Sequence, residues 1–249
     1  MADPAVTAAY TTSFVGLLIG VGVALKLLSE ETVDNATGQF KWLLVIPGFA
    51  AISYLLMVLE VGVITVGENE VYLFRYIDWI VTTPILVGYA GYVAGAPRRW
   101  IVGVGLADAL MIATGLAATL VTGIGTWIGF GVSAVFHLVL LAILYLVFPK
   151  YIQDNPERRR LFRILQNHVG LLWIAYPVIW IASSAGVGYV SVTGTAMIIA
   201  YLDVVAKTPY VYFVYRERTA FRTEPLAAES GGTEPEATDT SAASAEPAS

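Results

Sequence analysis

The stretch "AYLDVVAKTPYVY", residues 200–212, is apolar enough to sit in lipid, yet it carries Asp203 and Lys207. Four residues apart, the two share one face of a helix. A charge at the centre of a membrane helix costs roughly 2.5–3.5 kcal/mol on insertion scales. The pair therefore needs compensating groups on other helices, and finding them is the way into the function.

The rest of the chain fits a membrane setting. Of 249 residues, 57% are hydrophobic and only 13% charged, with a mean hydropathy of +0.71. Soluble domains carry about 25% charged residues. Apolar runs of bilayer-crossing length recur at 8–28, 39–63, 72–93, 100–121, 125–148, 161–182 and 191–215. The expected fold is an all-α integral membrane protein, a bundle of seven transmembrane helices in a multi-pass cell-membrane location. Short connections make neighbouring helices antiparallel, and residues 64–71, "ITVGENEV", hint at a small hairpin. The first residues, "MADPAV", lack the positive charge of a signal peptide, so the first run reads as a retained helix. There is no cysteine, which excludes a disulfide framework and a thiolate metal site. No internal repeat or inverted symmetry is visible.

Basic residues set the orientation. Lys26, Lys41, Arg98, Arg99, Lys150, Arg158, Arg159, Arg160, Arg163, Arg216, Arg218 and Arg222 all fall on one side of the bundle, and the opposite loops carry none. By the positive-inside rule the N-terminus is outside and the C-terminus cytoplasmic. Residues 1–216 form the membrane domain. From 217 to 249 the composition turns to Glu, Ala, Ser, Thr and Pro, which reads as a disordered acidic cytoplasmic tail.

The remaining basic residues, Arg75 and Lys207, lie inside spans, together with Asp78, Asp108 and Asp203. In "RYIDWIVTTP", residues 75–84, Arg75 and Asp78 share a helix face, and Thr82 follows one turn later as a hydrogen-bond donor. Asp108 reads at least as well as a hydrogen-bonded packing residue as a chemical one. Two carboxylates, one lysine and one arginine make a buried cluster near neutrality, which burial demands. A desolvated lysine is a nucleophile toward carbonyls. Its Schiff base with an aldehyde, once protonated, would take Asp78 and Asp203 as counterions. In "LLWIAYPVIW", residues 171–180, Trp173, Tyr176 and Trp180 form one stripe. With Trp79, Phe130, Phe136 and His137 they suit a large flat ligand, and Pro177 marks a kink or pivot.

"RYIDWIVTTP", "LLWIAYPVIW" and "YLDVVAK" resemble segments of the archaeal microbial rhodopsins of halophiles, and the resemblance runs to about Arg222. It implies all-trans retinal bound covalently to Lys207, with Asp78 as primary counterion and proton acceptor and Asp203 as second counterion. It also places Trp79, Thr83, Met111, Trp173, Tyr176 and Trp180 in the pocket, with Tyr54 and Leu86 more loosely. Arg75, Phe130, Ser133, His137, Pro177 and Ala206 complete the retinal-binding set. A chloride pump of this family has threonine at the Asp78 position. A proton pump keeps a carboxylate eleven residues after the acceptor, which is Tyr89 here, and release acids at positions that fall on Ala185 and Thr195.

The chain is most similar to the sensory rhodopsin I class, through "VTTPILVGYAGYVAGAPRR", "VFHL" and "LFRILQNHVGLLWIAYP". That class implies a phototaxis photoreceptor, not an enzyme, signalling through a methyl-accepting transmembrane transducer. The transducer would contact the sixth and seventh helices and the cytoplasmic side. His168 and Asp108 then belong to the signalling and proton network. Membrane lipid is the other partner, self-association as a homo-oligomer is left open, and no nucleic acid is expected. The alternatives are a weak light-driven proton pump and, more distantly, a secondary transporter without chromophore.

Overall fold

The computed structural model describes residues 3–30, 37–67, 69–152 and 154–221. Among the described residues, seven helices long and apolar enough to cross a membrane make up the bundle. They are α1 (Pro4–Ser29), α2 (Thr37–Val58), α3 (Leu73–Ala94), α4 (Arg98–Thr119), α5 (Ile124–Ala142), α6 (Pro156–Ala182) and α7 (Val192–Arg216). Between α2 and α3, β1 (Val63–Val66) and β2 (Asn69–Tyr72) form the hairpin, with Val63 opposite Tyr72 and Val66 opposite Asn69. Gly67 at its turn has φ +63, which glycine adopts without strain.

Two boundaries differ from the apolar pattern. The second span extends to residue 63 by hydropathy, but α2 stops at Val58. Glu60 takes φ 57 and Gly62 φ 69, so the backbone leaves the helix and enters β1. At the other end, α6 begins at Pro156, ahead of the expected 161. Asn155 caps it by accepting from the Arg158 N–H at 3.0 Å, and a proline opens the first turn. Helix α5 continues as a π turn, Ile143–Val147, and then a 3-10 turn, Phe148–Tyr151. The tail expected from 217 opens with a 3-10 turn, Arg218–Phe221. Beyond it, residues 222–249, Arg222 included, lie outside the described residues.

Small residues let α1 approach α7 closely, as is common between membrane helices. The Thr208 hydroxyl donates to the Gly16 carbonyl at 3.0 Å, and the Ser13 hydroxyl to the Ala200 carbonyl at 3.0 Å. A side chain at Gly20 would meet the Thr208 hydroxyl at 2.8 Å and Pro47 at 3.0 Å. Gly20→Leu should therefore lower the stability by about 1–3 kcal/mol through overpacking, seen as a drop in melting temperature. No change would mean that the α1–α7 seam yields freely.

Outside the bundle core, Asp3 ties the starts of α1 and α7 together. Its carboxylate accepts from the Thr193 hydroxyl at 2.7 Å and the Ala5 N–H at 2.9 Å. The Thr193 bond, then the Ala5 bond, hold its pKa below the usual 3.8. A depressed folded value contributes stability above the ordinary carboxylate range, and that contribution is lost as pH falls through the folded value. Melting of Thr193→Val should thus differ from wild type above that range and converge with it in acid. A difference that grows in acid would contradict the bond.

Candidate functional site

The inward face of α3 and the middle of α7 supply the charged cluster. Asp78 is 0% exposed, and Asp203 and Lys207 are each 1% exposed. The Lys207 Nζ lies 2.7 Å from the Asp78 Oδ2 and 3.8 Å from the Asp203 Oδ2. Both expected counterions thus meet the lysine, at unequal distances.

The two carboxylates are held differently. Asp203 accepts from Tyr54 OH on α2 at 2.7 Å and from Tyr176 OH on α6 at 2.7 Å. It also accepts from the Trp79 indole N–H on α3, at 3.0 and 3.1 Å to its two oxygens. Three neutral donors on three helices therefore fix its charge in place. Among the described residues, Asp78 has only Thr82 at 3.2 Å besides the lysine, and that hydroxyl also donates to the Asp78 backbone carbonyl at 2.8 Å. Asp78 depends on the Lys207 cation, to which it is the nearer of the two carboxylates.

From the lysine a flat apolar slot runs between the helices in two lobes. The first, about 60 Å³, is lined by Lys207, Asp203, Ala206, Thr83, Leu86 and Trp173. The second, about 120 Å³, is lined by Phe130, Ser133, His137, Pro177 and Trp180. Trp79, Met111, Ile112 and Tyr176 border both lobes and make them one channel. The Phe130 and Trp180 rings stack at 4.3 Å near its far part. A buried primary amine with two carboxylates at one end and aromatic walls beyond fits an aldehyde with a long, flat apolar body.

Other expected residues stand beside the slot. Arg75 donates to Tyr10 OH at 2.6 Å and lies over the Tyr10 and Tyr72 rings. Among the described residues it makes no ion pair with either aspartate within 4.0 Å. It lines instead a separate cavity of about 250 Å³ with Glu70, Ala185 and Thr195. Arg75 thus stands beyond the cluster, its guanidinium turned toward Tyr10 on α1. Tyr54 reaches Asp203 rather than the slot wall. Asp108 sits behind the slot, accepting from Thr83 at 2.5 Å, and is 0% exposed. His168 places its Nε2 3.1 Å from the Ala206 carbonyl and packs edge-on against Phe213. It touches the chain beside Lys207 without entering the slot.

Tyr76, Ile112, Gly115, Ala134 and Ile199 also line the slot, and the sequence reading did not name them. Helical spacing could have found three of them. Asp108, Met111, Ile112 and Gly115 fall on one face of α4, and Ile199 lies one turn before Asp203.

Residues 5–221 match the family described as bacteriorhodopsin-like protein. The chain belongs to that family. It is 51% identical over 217 residues to sensory rhodopsin-1 of Halobacterium sp. (strain SG1), covering 87% of this chain and 88% of that one. Against the sensory rhodopsin of Halorubrum sodomense it is also 51% identical, over 87% of this chain and 85% of the relative. The crystal structure of cyanorhodopsin from the cyanobacterium Calothrix sp. NIES-2098 superposes with a TM-score of 0.84 at 27% identity. That match covers 88% of this chain and 98% of that one.

Proposed function

We propose that the chain is a light-sensing photoreceptor of the sensory rhodopsin I kind, carrying all-trans retinal on Lys207. The observation that carries the reading is the buried Lys207 amine, 2.7 Å from Asp78, at one end of an aromatic slot. When bound as a protonated Schiff base, retinal supplies visible absorption and a light-driven change of shape. Relatives at 51% identity bear sensory names. Tyr89, Ala185 and Thr195 stand where a pump of the family would keep acids, which favours sensing over transport.

The chain's own residues do the rest. Asp203, held by Tyr54, Trp79 and Tyr176, keeps a fixed negative charge beside the nitrogen. Asp78, held by less, takes the proton that the nitrogen releases. Trp173 and Tyr176 put α6 against the slot, and Pro177 cannot donate to the Trp173 carbonyl one turn back. The helix is thereby weakened next to the residues that feel the change, so α6 can tilt about this point. Its opposite end then changes position relative to α7, supplying the two-state element that a receptor needs.

In this reading the basic end of the bundle and the tail, residues 217–249, face the cytoplasm. A methyl-accepting transmembrane transducer reads α6 and α7 there, and His168 and Asp108 belong to the network that links slot and surface. Purified protein given all-trans retinal should develop a visible band and a photocycle. In cells lacking any transducer, illumination should give no steady photocurrent. A robust steady current would favour a proton pump, and a colourless protein with substrate-dependent uptake would favour a transporter.

A further inference from the structure

We propose that the C-terminal turn, Arg218–Phe221, is a latch that holds the basic end of α6 closed in the dark. Its use in signalling rests on the photoreceptor reading; its mechanical action does not.

Phe221 is 7% exposed and sits in a socket built by three other helices. Its ring meets Phe40 of α2 edge-on at 5.3 Å and stacks with Tyr92 of α3 at 6.2 Å, with 7° between the planes. Arg158, in the first turn of α6, lies over both rings, 5.6 Å from Phe221 and 5.8 Å from Tyr92. The turn is also anchored in place. Arg218 pairs with Glu30 at the end of α1 and lies 4.5 Å over the Tyr215 ring. Just before it, Glu217 pairs with Arg160 of α6 at 3.3 Å. The segment after α7 thus bridges α1, α2, α3 and α6, and its grip on α6 is through Arg158 and Arg160.

That grip is placed for leverage. From Pro177 to Arg158 the helix runs about 28 Å at 1.5 Å per residue. A tilt of about 10° at the proline would carry Arg158 roughly 5 Å, by the same geometry. Neither the cation–π contact nor the ion pair survives such a displacement in place. Each is a weak interaction, worth a factor of about two to five in an equilibrium constant. Together they bias α6 toward the closed position without locking it, which is the strength a reversible switch requires.

Tyr89 sits beneath the latch, its ring 6.4 Å from that of Phe221. Among the described residues its buried hydroxyl has no hydrogen-bond partner. The Phe221 ring therefore also screens a polar group that an open α6 would bring closer to water.

The chain has no cysteine, so a pair can be introduced cleanly for spin labels at Arg99, at the start of α4, and Arg163 on α6; both positions are exposed. The distance distribution is measured in the dark for the wild type, Phe221→Leu and Arg158→Gln. Leucine keeps apolar volume in the socket, so the variant folds while losing the ring face. Both variants should show a longer-distance component, with the open-to-closed ratio raised roughly two- to fivefold. A shift in one alone still supports the latch and assigns the grip to the ring or to the cation. Dark distributions identical to wild type in both would overturn it and leave the turn a passive cap. Illuminating the wild-type pigment should lengthen the same distance. A wild type indifferent to light would count against the photoreceptor reading and leave the dark comparison standing.

Discussion

Lys207→Ala should remain colourless after incubation with retinal, a complete loss of the visible band rather than a shift. The amine is the one nucleophile at the end of the slot, and its neighbours, Asp78 and Asp203, cannot form the bond in its place. The substitution has a second consequence. It leaves two buried carboxylates without their cation, and breaking a buried pair from one side costs about 3–5 kcal/mol. Loss of colour could then be mistaken for loss of fold. The control is Lys207→Ala combined with Asp78→Asn, which removes one of the two charges and should recover part of the melting temperature. That double variant, folded and still colourless, isolates the anchor. A visible band in either variant would end the assignment of Lys207.

Asp203→Ala should be the most destabilising change among the cluster's carboxylates. It removes the acceptor shared by Tyr54, Trp79 and Tyr176, which join α2, α3 and α6 to α7. Three donors would be orphaned, Tyr54 buried and Trp79 and Tyr176 partly buried, and each such loss costs about 1–3 kcal/mol before relaxation. A net loss on the order of 3–5 kcal/mol is expected, as for a broken buried pair. Asp78→Ala should cost less, since Thr82 still donates to the backbone carbonyl of residue 78 at 2.8 Å and Lys207 keeps Asp203 at 3.8 Å. Melting of the two apoproteins checks the order. If Asp78→Ala melts lower, the asymmetry drawn from the donors is wrong.

The spans and the lysine with its two carboxylates were legible in the sequence because charge inside an apolar run is rare and demands partners. What stayed hidden was the role of neutral groups. Tyr54, Trp79 and Tyr176 read as pocket wall or helix packing, yet all three serve Asp203, and nothing in hydropathy distinguishes a phenol that packs from one that donates. The contact of Arg75 was hidden for the same reason. Its partner is Tyr10, an ordinary hydroxyl near the start of α1. The start of α6 was set too late because Glu157, Arg158, Arg159 and Arg160 look like loop by polarity, although Asn155 and Pro156 before them form an N-terminal cap. The 3-10 turn at Arg218–Phe221 was concealed by the acidic composition that follows it.

The π turn at Ile143–Val147 bears on how the length of this chain can change. A π turn holds one residue more than the α-helix needs, so deleting one residue there would restore regular α geometry. The membrane half of α5, with Ser133 and His137 at the slot, would stay where it is. The segment after the turn would keep its facing toward α6, because the wider turn takes up the extra residue. Only the contacts of the turn itself would change: the Leu144 carbonyl, which accepts from Gln166 at 2.8 Å, and Tyr145 over Gly170 both lie within it. A one-residue deletion there therefore leaves both flanks of the helix in register and alters only the turn's own contacts with α6, making it a place where the chain can change length at small cost.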